Sequence, residues 1–402
     1  MIDFPEIQEL IKPNNSKIVM LVVDGLGGLY HPNYGKTELE YANIPEIDSL
    51  AKQSDCGLTL PVLPGITPGS GPGHLSLFGY DPIKYTIGRG ILEAIGISLN
   101  LNTSDIAARG NLCTINGQTG LIIDRRAGRI NSNEAKSIIN QLDGLKYKNI
   151  KIEAHHVKEH RFVLLLKGDG LDNNITGTDP EIEGKMPMAS VAKDSGSTLT
   201  AECINYFNKQ IKTILANRDT ANMALLRGFS KIPNYPNISD KYKMKCAAIA
   251  AYPMYKGLAK LIGMSVLDAG NSFESEIQTL HSNYDKFDFF FLHYKPADAA
   301  GEDGDFIQKV KSLEHLSGVL NNVLALKPDT FILAGDHSTP TVMASHSWHP
   351  VPFLINSKLT AGSGIQEFTE NQCRGGAIGN INATHLMLLA LAHSGRLNKF
   401  GP

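Results

Sequence analysis

The sequence predicts an α/β protein: an open, mostly parallel sheet with helices on both faces, interrupted by a smaller inserted α/β or α+β domain. Three observations predict it. Residues 17–23, 287–294 and 330–335 are near-continuous apolar runs, rich in β-branched or aromatic residues, as strands buried on both faces are. Each run leads into metal-type side chains at its C-terminal end: Asp24, then Asp298, then Asp336 with His337. Helical patterns over residues 44–52, 306–324 and 385–392 separate the runs. Ligand-type groups gathered at strand carboxyl ends place a site along one edge of an open α/β sheet.

Taken in order, the first run ends in Asp24-Gly25, and a Gly/Pro-rich loop follows at residues 64–74. It carries one serine, Ser70, between Gly69 and Gly71, with His74 one turn further on at a predicted helix start. A serine in such a loop is ordinarily a turn residue; flanking glycines also leave its hydroxyl exposed. From about residue 85 to 235 the pattern changes to shorter strands, such as 162–166, alternating with amphipathic helices, of which 198–216 is the clearest. Pro-containing stretches at 79–82 and 231–237 mark the edges of this block. The expected organisation is a discontinuous core of residues 1–82 and 240–402, with residues 83–239 inserted.

A chain of 402 residues exceeds one small core, and a net charge of −2 gives no electrostatic case for nucleic acid or an anionic membrane. No stretch approaches the roughly 18 apolar residues that span a bilayer, and residues 1–6 have neither a basic region nor a long apolar run. The five cysteines are widely spaced, with no CxxC, and read as buried apolar residues in a reducing compartment. The expectation is a soluble, cytoplasmic protein of undetermined oligomeric state.

The chemistry lies in a set of residues rather than in any one. Asp24 alone could brace a turn. Asp298 and Glu302, four apart, face one way on a helical turn, although Asp303 and Asp305 also suit a solvated acidic helix start. His346 has His349 as a neighbour and competitor. Together, Asp24, Asp298, Glu302, Asp336, His337 and His346 offer enough hard and borderline ligands for two divalent cations. Beside them stands Ser70, a hydroxyl too weak to attack alone. A metal-activated serine points to phosphoryl transfer.

Four arginines of the inserted block, Arg109, Arg125, Arg126 and Arg129, stand out in a chain of balanced charge. They read either as a solvated edge or as bidentate grips for carboxylate and phosphate. His155 and His156 follow a strand-like segment, Arg161 and Asp179 are weaker candidates, and Lys256 could reach a phosphoryl group from the core.

The motifs Val22-Val23-Asp24-Gly25, Pro68-Gly69-Ser70-Gly71-Pro72-Gly73-His74-Leu75, Asp124-Arg125-Arg126-Ala127-Gly128-Arg129, Gly335-Asp336-His337-Ser338-Thr339-Pro340 and His346-Ser347-Trp348-His349-Pro350 span nearly the whole chain. In this order they resemble the cofactor-independent (2,3-bisphosphoglycerate-independent) phosphoglycerate mutases, archaeal-type branch, of the alkaline phosphatase superfamily. The resemblance implies an alkaline-phosphatase-like core and two divalent metal ions, Mn²⁺ or Mg²⁺, with no 2,3-bisphosphoglycerate. It implies that Asp24, Ser70, Asp336 and His337 hold one metal, with Ser70 as nucleophile. Asp298, the residue at 302 and His346 would hold the other.

It further implies that inserted-domain arginines bind the phosphoglycerate and that this domain acts as a lid. His155 or His156 is the candidate proton shuttle. Two positions depart from the family pattern. Glu302 stands where a histidine is usual, which hardens the site toward oxygen-loving cations and leaves Asp303 and His349 as alternatives. Gly71 replaces an acidic residue. The metal core is shared with phosphatases, phosphodiesterases, sulfatases and phosphopentomutases; the arginine block favours the mutase. A metal-binding relative without catalysis is the remaining reading.

Overall fold

The computed structural model describes residues 7–362 and 364–401; residues 1–6, on which the reading of the N-terminus rests, lie outside them. The chain forms two compact units, Met1–Thr86 with Tyr235–Pro402, and Ile87–Asn234. The boundaries fall at 86/87 and 234/235, inside the expected limits of 83 and 239. Aromatic packing accounts for the difference: Tyr80 sets its ring edge-on to Tyr85 and Tyr235 and donates to the Pro236 carbonyl at 2.6 Å. These contacts keep both connecting segments with the first unit.

Strands β1 (Ile18–Val23) and β2 (Asp55–Leu60) open the chain. The second unit contributes β3 (Ile106–Ile115), β4 (Ile122–Asp124), β5 (Leu145–Tyr147), β6 (Ile150–Lys158), β7 (Arg161–Lys167) and β8 (Met223–Ser230). The first unit resumes with β9 (Cys246–Ile249), β10 (Ser265–Leu267), β11 (Phe289–Tyr294), β12 (Thr330–Ala334), β13 (Val351–Ser357) and β14 (Gly379–Asn382).

In the first unit eight strands run in the order β10-β9-β11-β1-β12-β13-β2-β14. All pairs are parallel except those of β13 with β12 and β2. Every residue of β1, β11 and β12 is buried, as their unbroken apolar runs require. Side-chain alternation divides the work. Val19, Leu21, Val23, Phe290, Leu292 and Leu333 pack in one core with Leu313, Leu316 and Leu320 of the Phe306–Leu324 helix. On the other face Phe291 meets Phe78 and His74 edge-on, and His74 belongs to the Ser70–Leu77 helix. Register aligns the strand ends: Val23 pairs with Tyr294 and Val22 with Ala334. The residues that follow β1, β11 and β12 therefore emerge side by side.

The second unit is a six-stranded sheet, β4-β3-β7-β6-β5 with β8 paired to β3, and all its pairings are antiparallel. Helices Ser132–Leu142 and Thr198–Ile214 bury Ile138, Ile139, Ile204 and Phe207 in its core. It is thus α+β. The five cysteines are buried thiols. Among the described residues no helix is long and apolar enough to cross a membrane.

Candidate active site

Three loops at the carboxyl edge build the site of the first unit. Asp24 is fully buried directly after β1, and Gly25 turns the chain at φ +66°. A Cβ on Gly25 would lie 2.6 Å from Thr339 Oγ1 and 2.8 Å from the Asp298 backbone, so only glycine lets the loops approach this closely. Asp336 and His337, both fully buried, follow β12. Ser70 opens the Ser70–Leu77 helix and is half-buried.

These residues converge. Ser70 Oγ lies 3.1 Å from His337 Nε2, and that nitrogen lies 3.3 Å from Asp24 Oδ1 and 3.1 Å from Asp336 Oδ2. Ligand atoms of Asp24, Asp336 and His337 fall within 4.8 Å of one another, as do those of Asp298, His337 and His346. Buried Asp24 Oδ1 and Asp336 Oδ2 accept no well-formed hydrogen bond, their nearest polar neighbours being His337 Nε2 for both and His74 Nδ1 at 3.0 Å for Asp336. Burial pushes the Asp24 carboxyl up, but the His293 hydrogen bond and the charges of His337 and Lys295 outweigh it and hold the group well below its usual range. Burial keeps His337 below its usual value despite Asp336 and Asp24, which leaves a neutral imidazole suited to ligation. Burial and the Asp24 charge push Asp336 up; His337 and His74 more than reverse this.

Glu302 lies at the end of the Pro296–Glu302 helix with 56% of its side chain exposed, its Oε1 3.5 Å from His346 Nε2. Asp303 is exposed at the C-terminal cap of that helix, and His349 Nδ1 pairs with Ser347 Oγ at 3.1 Å. Asp298 and His346 therefore share their ligand cluster with His337, and Glu302 touches its rim.

Several residues here escaped the sequence reading. Lys295 Nζ donates to Asp24 Oδ2 at 3.1 Å, to Tyr255 Oη at 3.2 Å and to Asp298 Oδ2. Burial pulls the ammonium down, but Asp24 and Asp298 raise it above its ordinary value, so it stays charged. Tyr255 donates to Asp24 Oδ2, and His293 Nε2 stands 3.1 Å from the same oxygen. His74 Nδ1 faces Asp336 Oδ2 at 3.0 Å. A signal for Lys295 existed, since it follows its strand as Asp24 follows β1. Lys256, the lysine singled out in the sequence, lies half-buried in the Pro253–Leu261 helix, where its charge acts on Glu276.

Glu276 itself lines a cavity of about 640 Å³ with Tyr252, His293, Lys295 and His315. It accepts from the Ala251 N–H at 2.8 Å, and its other oxygen has no partner. Burial pushes its carboxyl up to about 8. The folded value exceeds the unfolded one, so folding takes up a proton, and stability is lost as pH rises from about 4.5 toward 8. At pH 7 that loss is on the order of 3 kcal/mol. Glu276→Gln is expected to flatten this slope and raise the melting temperature at pH 8 but not at pH 4.5. Parallel melting curves for the two proteins at both pH values would refute this account.

In the second unit the β3–β8 register sets Arg109 opposite Arg227, and Arg161 begins β7 opposite Asn111. Burial, together with the charges of Arg161, Arg227 and Arg89, lowers the Arg109 guanidinium; Glu93 opposes them from 3.4 Å. The buried Nε atoms of Arg109 and Arg227 and Nδ1 of His160 make no hydrogen bond; the Arg109 nitrogen has only the Glu93 carboxylate at 3.4 Å. Four guanidinium groups so placed suit a multivalent anion. The antiparallel register, invisible in sequence, sets Arg227 beside Arg109, and Arg89 joins them from the start of the Arg89–Gly96 helix. Arg125 pairs with Asp179 through contacts of 3.3 and 2.8 Å, while Arg126 and Arg129 are exposed. His155 Nε2 pairs with Glu153 at 3.2 Å and His156 Nε2 with the Glu159 carbonyl at 3.1 Å. Both histidines line a cavity of about 330 Å³ with Lys136 and Asn140.

A family profile described as 2,3-bisphosphoglycerate-independent phosphoglycerate mutase matches residues 51–221. A probable 2,3-bisphosphoglycerate-independent phosphoglycerate mutase of Thermosipho melanesiensis is 49% identical over 404 residues, covering 100% of each chain. The chain belongs to this mutase family. Among solved structures, the mutase resembles a protein from Pyrococcus horikoshii with a TM-score of 0.80, 26% identity and coverage of 97% of this chain and 100% of that one. It also resembles a cofactor-independent phosphoglycerate mutase from Thermoplasma acidophilum with a TM-score of 0.75, 25% identity and coverage of 94% and 100%. Family membership implies divalent metal use, and the mutase's own residues fit it. Two buried carboxylate oxygens without a well-formed hydrogen bond and a neutral imidazole in one cluster form a donor set for a hard or borderline divalent cation.

Proposed function

We propose that this phosphoglycerate mutase interconverts 3-phosphoglycerate and 2-phosphoglycerate through a phosphoserine on Ser70, without 2,3-bisphosphoglycerate, in glycolysis and gluconeogenesis. The observation that carries this reading is the 3.1 Å approach of Ser70 Oγ to His337 Nε2, beside the buried oxygens of Asp24 and Asp336 that accept no well-formed hydrogen bond. Asp24, Ser70, Asp336 and His337 would hold one divalent cation; Asp298, His346 and Glu302 would hold the second. When bound, such cations lower the pKa of the serine hydroxyl and neutralise charge on the phosphoryl oxygens.

Ser70 would lose its hydroxyl proton and form the bond to phosphorus, and it would regain a proton only if released as the free hydroxyl. As that bond forms, the bond from phosphorus to the glycerate 3-oxygen breaks and the 3-oxygen takes up a proton. The 2-hydroxyl then loses its proton as it recovers the phosphoryl group, and Ser70 is regenerated. Gly69 offers no side-chain cap to the Ser70–Leu77 helix, Pro72 carries no N–H and the Gly73 N–H donates to the Gly69 carbonyl, so the Ser70 and Gly71 N–H groups are the ones that would meet the phosphoryl oxygens. The Lys295 ammonium donates to both Asp24 and Asp298 and, after His293 and His337, helps hold the Asp24 carboxyl below its usual range. Arg109, Arg125, Arg126 and Arg129, with Lys256, are the proposed substrate grips, and His155 or His156 the proposed proton shuttle. The inserted domain, expected at 83–239, would keep water from the phosphoserine while glycerate is unbound to it.

An assay on 3-phosphoglycerate without 2,3-bisphosphoglycerate tests the reading. After chelation the expected result is no turnover, with 2-phosphoglycerate formation restored by Mn²⁺ or Mg²⁺. Phosphate release with no 2-isomer would identify a phosphatase instead. Turnover that persists through exhaustive chelation would remove the metal from the scheme.

A further inference from the structure

We propose that Thr339 is the positioning residue that fixes the tautomer of His337 and couples the two ligand sets, resting on the assignment of those sets given above. Thr339 is fully buried. Its hydroxyl donates to Asp298 Oδ1 at 2.6 Å, and the same oxygen lies 3.0 Å from His337 Nδ1. A hydroxyl has one proton. With that proton given to the Asp298 carboxylate, Thr339 Oγ1 meets His337 Nδ1 only as an acceptor. His337 therefore donates its Nδ1–H to Thr339, which leaves Nε2, set among Ser70 Oγ, Asp24 Oδ1 and Asp336 Oδ2, as the nitrogen that would meet a cation. The opposite tautomer would put two lone pairs against each other at Nδ1 and an N–H where a ligand atom is needed.

The same contacts close a ring. Asp298 reaches Asp24 through Lys295, and returns to Asp24 through Thr339 and His337. A change at either carboxylate is thus felt by the other set. Backbone contacts hold the threonine still: its N–H donates to the Gly27 carbonyl at 3.0 Å, and its carbonyl accepts from Lys309 Nζ at 2.8 Å. The hydroxyl consequently acts from a fixed point.

Two measurements on the full chain decide the matter. The first is calorimetric titration with Mn²⁺ of the chelated wild type, Thr339→Val and Thr339→Ser. Valine keeps the shape and removes the hydroxyl; serine keeps the hydroxyl. Thr339→Val is expected to lose about 10–100-fold in Mn²⁺ affinity, as outer-shell substitutions do, while Thr339→Ser stays within a few-fold of wild type. The second is ¹⁵N spectroscopy of the histidine-labelled wild type loaded with diamagnetic Mg²⁺, in which His337 should appear with its ring proton on Nδ1. An Nε2–H ring overturns the proposal, as does a folded Thr339→Val that binds Mn²⁺ like wild type. Wild type that binds no Mn²⁺ sinks the two-cation assignment, and the tautomer result then decides the hydroxyl's role by itself.

Discussion

Replacing Ser70 by alanine is expected to lower mutase turnover by at least about 10⁴-fold, the scale seen when a nucleophile is removed from an otherwise intact site. The side chain is half-buried at the first position of its helix and contributes no cap, so its loss should leave the fold unchanged. What disappears is the oxygen that forms the bond to phosphorus. Asp24, Asp336 and His337 remain, so Mn²⁺ binding should weaken far less than turnover. The check is the coupled assay on matched, metal-restored preparations, with incorporation of phosphate into protein followed alongside. Substantial 2-phosphoglycerate formation by Ser70→Ala would show that Ser70 is not the nucleophile.

Lys309→Met is expected to cost about 3–5 kcal/mol, a large part of a typical stability of 5–15 kcal/mol. Lys309 is fully buried, and its Nζ donates to the Gly27 carbonyl at 3.0 Å and to the Thr339 carbonyl at 2.8 Å. Burial pulls the ammonium down while Glu38 and Glu370 raise it. Both carboxyls are buried in turn: Glu38 accepts from Thr341, and Glu370 from Gly28 and Thr37. Burial pushes Glu370 up to about 7 even with the lysine present. Methionine fills the space but leaves two carbonyls without a donor and the carboxyls without a counter-charge. Urea unfolding at pH 8, above the raised value of the Glu370 carboxyl, gives the clearest reading. A midpoint equal to wild type would mean that the lysine does not hold the two loops together. The loops it joins carry Asp24 and His337, so the variant should also bind Mn²⁺ more weakly.

Legibility of the chain differed between backbone and site. The runs at residues 17–23, 287–294 and 330–335 became β1, β11 and β12 because unbroken apolar strands have no other place than a sheet covered on both faces. The helix expected over 306–324 is the Phe306–Leu324 helix, started by Asp305, whose side chain caps Gln308 N–H. The unit boundaries were harder to read, since tyrosine packing rather than the nearby prolines fixes them. Asp24, Asp336 and His337 stand out by type and by position at strand ends, and Ser70 by its Gly/Pro-rich loop; the structure brings the four together. Their partners do not stand out: a buried histidine, tyrosine or threonine looks like core until the residue opposite it is known.

By itself the sequence determined which strands are buried, which residue types follow their carboxyl ends, and that a serine stands in a Gly/Pro-rich loop. These are local properties, set by side-chain periodicity and by glycine's freedom over a few residues. Tertiary structure decided the rest. It brought Lys295 between Asp24 and Asp298, put Thr339 between Asp298 and His337, gathered Arg89 and Arg227 about Arg109, and left Glu302 at the solvent edge. The physical reason is that charge balance, tautomer and ligand geometry are properties of pairs. Those pairs are formed by sheet register and loop packing between segments far apart along the chain.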